Sequence, residues 1–160
     1  SNIWSIPIPR SGLVSIREAA PVTAGTQLVE MHDVSPDGEW IAFDSKRRGE
    51  LDIYKQRLEG GSSQLVADVS SDAYEPDWSP DGRRIVFNVR RGRGESVAVY
   101  DFSTGKTRVL EGGEDPCWGP DSQHVVYSTG KSLVILNVDT GEKRTVVKGM
   151  GKVTEPSWAK

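Results

Sequence analysis

Histidine occurs only at His32 and His124, and cysteine only at Cys117. Most nucleophilic and metal chemistry depends on these residue types, and here their spacing suits neither. The histidines stand too far apart for an H-E-x-x-H zinc pair. One thiol builds neither an intrachain disulfide nor a cysteine-ligated zinc site. No G-x-S-x-G elbow presents a serine, and no local pattern supports a Ser/His/Asp triad. Cys117, beside Trp118, reads as a small buried apolar residue rather than a nucleophile. Asp37, Asp81 and Asp121 recur, which could suggest calcium. Each stands alone in a Pro-Asp turn, however, whereas a calcium loop gathers several oxygen ligands, so turn formation is the reading. No catalytic, cofactor-binding or metal residue is assigned, and no enzyme activity is expected of the chain.

Three other sets carry charge or aromatic surface. Lys46, Arg47 and Arg48 form one basic cluster, and Arg90, Arg91 and Arg93 form another at nearly the same spacing as the repeat described next. They read either as solvated turn residues or as a partner surface, because loops on a rigid frame are where binding residues collect. Trp40, Arg84 and His124 are spaced by 44 and then 40 residues. Side by side, they could hold an aromatic or anionic ligand; the alternative is three edge residues chosen separately.

The elements that position these residues follow from a repeat. EPDWSPDG begins at Glu75, EDPCWGPDS at Glu114 and EPSWAK at Glu155. Trp78, Trp118 and Trp158 therefore fall 40 apart, each two positions after a proline. SPDG also occurs at 35–38, with Val34 in the tryptophan's place. A period near 40 signals stacked or radial repeats. Each unit has one grammar: a short stretch ending in Trp, a Pro-Asp turn, then a strand with period-two alternation (EWIAFDS, RRIVFNV, QHVVYST). A polar turn, a third strand (LDIYKQRL, VAVYDF, LVILNV), a tight turn and a fourth strand (SQLVAD, TRVLEG, RTVVKG) complete it. Four short antiparallel strands per unit describe propeller blades, so the fold class is all-β. The tryptophan has the bulk to fill the wedge between adjacent blades.

EPDWSPDGRRIVF, followed by a basic turn and an IY-type strand, resembles the TolB-type repeats, also called WD40-like beta propeller repeats. The resemblance runs from Asn2 to Trp158, with Val34 and the GPDS turn as departures. It implies a scaffold that binds protein or peptide partners, extracytoplasmic or periplasmic, in envelope assembly involving a peptidoglycan-associated lipoprotein. Similar repeats form sensory portions of membrane-bound regulators. The alternative it implies is the gating or substrate-selecting propeller of a serine peptidase of prolyl oligopeptidase or tricorn type, or of a carbohydrate lyase.

The whole chain, 1–160, reads as one propeller region. It divides into a partial unit (1–30, third and fourth strands), three full units (31–73, 74–113, 114–152) and a first strand (153–160). NIWSIPIP aligns with the third strand DIYKQRLE, AAPVTAG with a fourth, and SGLVSIRE is an insertion between them. Two readings stay open, a piece of a longer propeller and a part-propeller completed by a second chain, and both expose two blade faces. Equivalent turns share one face of the disc, so the basic clusters should meet the acidic fourth-to-first loops, placed at Asp68, Asp72, Glu75, Glu111, Glu114 and Asp115. Composition fits a globular protein, 36% apolar and 27% charged, and the net charge of −3 predicts no pull toward nucleic acid. Apolar runs reach about five residues, too short to span a bilayer as a helix. No charged-then-apolar leader opens the chain, so any export signal is expected to have been removed or never to have existed.

Overall fold

A computed structural model describes residues 2–6, 15, 17, 19–23, 29–149 and 151–158. The expected insertion lies mostly outside the described residues, as do parts of the two strands that flank it. Within them, β1 (Trp4–Ser5) pairs antiparallel with β2 (Ala20–Pro21). Three four-stranded meanders follow: β3 (Val29–Val34), β4 (Trp40–Ser45), β5 (Asp52–Arg57) and β6 (Gln64–Ala67); β7 (Ala73–Trp78), β8 (Arg84–Arg91), β9 (Gly94–Asp101) and β10 (Lys106–Gly112); β11 (Glu114–Trp118), β12 (His124–Ser128), β13 (Ser132–Asn137) and β14 (Lys143–Lys148). All pairings are antiparallel between chain neighbours. The first strands of successive sheets touch one another, β3 with β7 and β7 with β11, so the sheets radiate from a common inner edge.

The second strands are apolar on both faces because each sheet is covered on both sides. Ile41 and Phe43 pack with Val22, Val29 and Tyr54, on the side of β1 and β2. Ala42 faces the other way and joins Ile53, Trp78, Ile85 and Phe87 in the next seam. Val86 in turn joins Val97, Trp118, Val125, Tyr127 and Leu136 in the seam after that. Trp78 and Trp118 are 7% and 4% exposed. Each comes from the first strand of one sheet and fills the seam toward the preceding sheet, as the wedge expectation requires. Val34, in the equivalent place, is 43% exposed and fills nothing.

The Pro-Asp turns are held by side chains. Ser35 Oγ donates to Asp37 Oδ1 and accepts from the Trp40 N–H, and Ser79 and Asp81 repeat this around Arg84. In the third sheet Gly119 replaces the serine. Asp121 Oδ1 takes over, accepting from both Gln123 and His124 N–H groups. Gly119 leaves room for Trp158: a Cβ there would lie 3.1 Å from its ring. The segment 153–160 was expected to be a first strand with no second strand beside it, and its described residues, 153–158, run without ladder partners. It is fixed instead by Val153 N–H to Gly130 O and by Trp158 Nε1–H to Cys117 O at 3.4 Å.

Candidate functional site

The inner strands carry a feature built from acids. Each breaks register once, between Val29 and His32, Tyr74 and Asp77, and Glu114 and Cys117. At the break Glu75 and Asp115 take φ of 56° and 55°, and Glu155 in the last segment takes 51°. Left-handed backbone costs a residue with a Cβ about 1–2 kcal/mol, so something must hold it. Asp44, buried near the end of β4, does so for Glu75 and also holds the break in its own sheet. Its Oδ1 accepts from Glu30 and Met31 N–H in its own sheet, and its Oδ2 from Glu75 N–H in the next. Asp115 Oδ2 likewise accepts from Glu155 N–H at 3.0 Å. A second row lies one step along: Asp33 Oδ2 accepts from Trp78 N–H at 2.8 Å, and Asp77 Oδ2 from Trp118 N–H at 2.7 Å. Carboxylates of one sheet thus clasp the backbone of the next at both seams between the four-stranded sheets, and again at the last segment.

The left-handed turn also points side chains inward. Glu75, Asp115 and Glu155 line a cavity of about 220 Å³ with Met31, His32, Asp77, Cys117 and the three repeat prolines. Burial, and then the charge of Asp115, push the Glu75 carboxyl up. Burial raises the Cys117 thiol to about 11, which keeps it protonated and unreactive at neutral pH. Glu75, Glu111, Glu114 and Asp115 therefore belong to strands, not to the loops where spacing had put them. At the bulges of β7 and β11 Glu75 and Asp115 turn inward to the cavity, whereas Glu111 lies in the fourth strand β10.

The basic clusters do meet the acidic loops. Arg48 pairs with Asp68 at 3.5 Å, and Arg90 with Asp72 at 3.4 Å and Glu95 at 3.3 Å. Arg47 is no surface cation: its guanidinium lies 4.8 Å over the Tyr54 ring and 5.4 Å over Phe43, and it donates to Ser63 Oγ. Lys46, Arg91 and Arg93 are exposed and make no ion pair among the described residues. Arg91 borders a groove of about 520 Å³ between the first two sheets, with Asp68, Ser70 and Ser71 opposite.

Trp40, Arg84 and His124 begin the three second strands, at the end opposite those turns. Each serves a separate neighbour. Lys55 Nζ sits 4.4 Å from the Trp40 ring and 4.6 Å from Phe102 of the next sheet, tying two sheets through one cation. Arg84 bridges Asp101 at 3.6 Å and, across the seam, Asp139 at 2.9 Å. His124 Nδ1 lies 2.6 Å from Asp121 Oδ2, and the Asn137 amide faces Nε2. Burial acts to raise Asp121, but hydrogen bonds from Gln123 and His124 outweigh it and hold the carboxyl at about 2. No described contact brings the three into one site.

The inner-strand clasps escaped the reading of the sequence, although their signal is visible. A polar residue follows the apolar run at the same repeat position of each second strand, at Asp44, Asn88 and Ser128. All three are buried: Asp44 holds the bulges of β3 and β7, Asn88 donates to Glu75 Oε2 at the bulge of its own sheet, and Ser128 donates to Val153 O of the last segment.

Meander sheets radiating from inner strands, with tryptophan wedges in the seams and loops gathered at two faces, define a segment of a β-propeller. The chain belongs to the TolB beta propeller family, whose profile, described as the TolB beta propeller domain, matches residues 21–160. It is 26% identical over 160 residues to the uncharacterized peptidase YuxL of Bacillus subtilis (strain 168), covering 99% of this chain and 23% of that protein. It is 29% identical over 129 residues to the Tol-Pal system protein TolB of Anaeromyxobacter dehalogenans (strain 2CP-C), covering 74% of this chain and 29% of that protein. The crystal structure of TolB from Acinetobacter baumannii superposes with a TM-score of 0.77 at 28% identity, covering 91% of this chain and 38% of that one. The chain thus spans well under half the length of these relatives.

Proposed function

We propose that this chain is a non-catalytic propeller scaffold that holds a protein or peptide partner outside the cytoplasm. Its contact surface is the face of the second-to-third-strand turns. The observation that carries this reading is the unequal pairing of the two basic clusters. Arg48 and Arg90 are neutralised in place, while Lys46, Arg91 and Arg93 are exposed and form no ion pair among the described residues, Arg91 at the border of a groove. A rigid frame presenting fixed cations suits an acidic partner segment, because complementary charge steers encounter and fixes register. Similarity to a Tol-Pal system protein supports the extracytoplasmic placement and a lipoprotein of the peptidoglycan-associated type as the probe. Calorimetric titration of the chain with that lipoprotein's soluble domain tests it. Binding that weakens at least tenfold in a Lys46→Glu, Arg91→Glu, Arg93→Glu variant with an unchanged melt supports the reading. Equal binding by the variant rejects it.

A second reading, the propeller portion of a peptidase, rests on the match to YuxL across nearly the whole chain. Here the same rim would select substrates for a separate hydrolase. Neither reading places catalysis in this chain. A peptidase, esterase and lyase screen of the purified chain should show no turnover, and turnover abolished by a Ser or His substitution would contradict both.

A further inference from the structure

Asp33 and Asp77 occupy the same repeat position in adjacent inner strands, and the two carboxyl groups are in hydrogen-bond contact. Two ionised carboxylates only accept, so such a contact requires a proton on one of them. Their outer oxygens are already committed, Asp33 to the Trp78 N–H and Asp77 to the Trp118 N–H. Further along the row the same position holds Cys117 and Ser157, both uncharged at neutral pH. Only between the first two full sheets do two acids meet in this row.

We propose that Asp33 and Asp77 share one proton and form a pH-sensitive latch between the first two four-stranded sheets, closed in mildly acidic medium and weakened as the medium turns alkaline. Like charges in one site cannot both ionise without repulsion. Burial is the largest influence on both groups and raises both; for Asp77, which also feels the charge of Asp33, the value reaches about 6. Backbone hydrogen bonds from Trp78 and Val34 to Asp33, and from Trp118 to Asp77, pull the other way but are outweighed by burial. Cys117 on β11 faces Asp77, and His32 on β3, when protonated, favours the ionised form of Asp33. Glu75 of β7, Asp115 of β11 and Glu155 line the same cavity, and Asp44 of β4 holds the bulges of β3 and β7, so the other charged groups there are acids.

The direction of the effect follows from linkage. An aspartate in the unfolded chain releases its proton near pH 4, about two units below Asp77 in the fold. The native state therefore binds the proton more tightly. The stability contributed by the pair is complete below about pH 4 and is lost as pH rises through about 6.

Carboxyl carbon NMR titration of the intact chain, with melting curves from pH 4.5 to 8, tests the latch. One aspartate pair should titrate together near pH 6, and the melting temperature should fall from pH 4.5 to about 6.5 and then level off. Asp77→Asn keeps an acceptor for the Trp118 N–H and adds a permanent donor toward Asp33. Its melt should lose that pH dependence and exceed the parent's at pH 7.5, and Asp33→Asn should behave alike. Titration of both carboxyls below pH 4.5 overturns the latch. So does a parent-like fall in the melts of the variants. If a variant fails to fold, the titration of the parent chain decides alone.

Discussion

At Trp118 the indole rings are buried in the seam between the second and third sheets, while Nε1–H makes no hydrogen bond. Its contribution is therefore volume and apolar area, not a polar contact. Trp118→Ala and Trp78→Ala should each destabilise by about 3–5 kcal/mol. Trp118→Phe, which keeps an aromatic ring and loses no hydrogen bond, should cost clearly less. Trp158, half-buried on the last segment, should tolerate alanine better than either. Denaturant midpoints of the four variants check the order, and small equal losses would remove the wedge reading. Lys55 is the opposite case, a cation used as packing. Burial, and then Arg57, push its ammonium down, yet two rings enclose it. Lys55→Ala should cost about 1–2 kcal/mol, through lost stem packing as well as lost charge.

At the scale of strands and turns, the last segment makes the sharpest prediction. Gly119→Ala would place a Cβ 3.1 Å from both His124 O and the Trp158 ring. Trp158 and the segment behind it should be displaced, while β3 to β10 stay folded. Hydrogen exchange reads this directly: Val153 N–H, bonded to Gly130 O, should lose protection and the β8–β9 amides should not. Uniform loss of protection would mean that Gly119 serves the whole sheet. The same comparison shows what the sequence makes legible. Strand order, turn positions and the wedge follow from period and alternation, because a blade buries both faces of its second strand. The inner-strand bulges do not follow. A left-handed residue before proline breaks the local rule at Glu75 and Asp115, and the groups that hold it come from the neighbouring sheet. A partner some 31 residues away, such as Asp44 for Glu75, leaves no trace in local pattern. Arg47 read as a surface cation from its place in a basic turn, although it lies against the Phe43 and Tyr54 rings of its own sheet.

Across the whole molecule, the seams are filled but the outer faces are not. Trp4 is 59% exposed and Val146 42%. Exposed apolar surface of this kind favours association, so light scattering at micromolar concentration should give a mass above the chain's 17.5 kDa. A monodisperse monomer with a cooperative melt would show that the seams alone suffice. The proposed function uses the surface rather than the seams: Lys46, Arg91 and Arg93 are exposed in hairpin turns, while Trp40, Arg84 and His124 make contacts within and between sheets. Amide chemical-shift mapping of the labelled chain, titrated with the soluble lipoprotein domain, tests that division most directly. The account predicts perturbations confined to residues 46–50 and 90–94 and the adjoining loop at 68–72. Perturbations centred instead on residues 101–105 and 121–124, at the opposite face, or on the acid-lined cavity would contradict it.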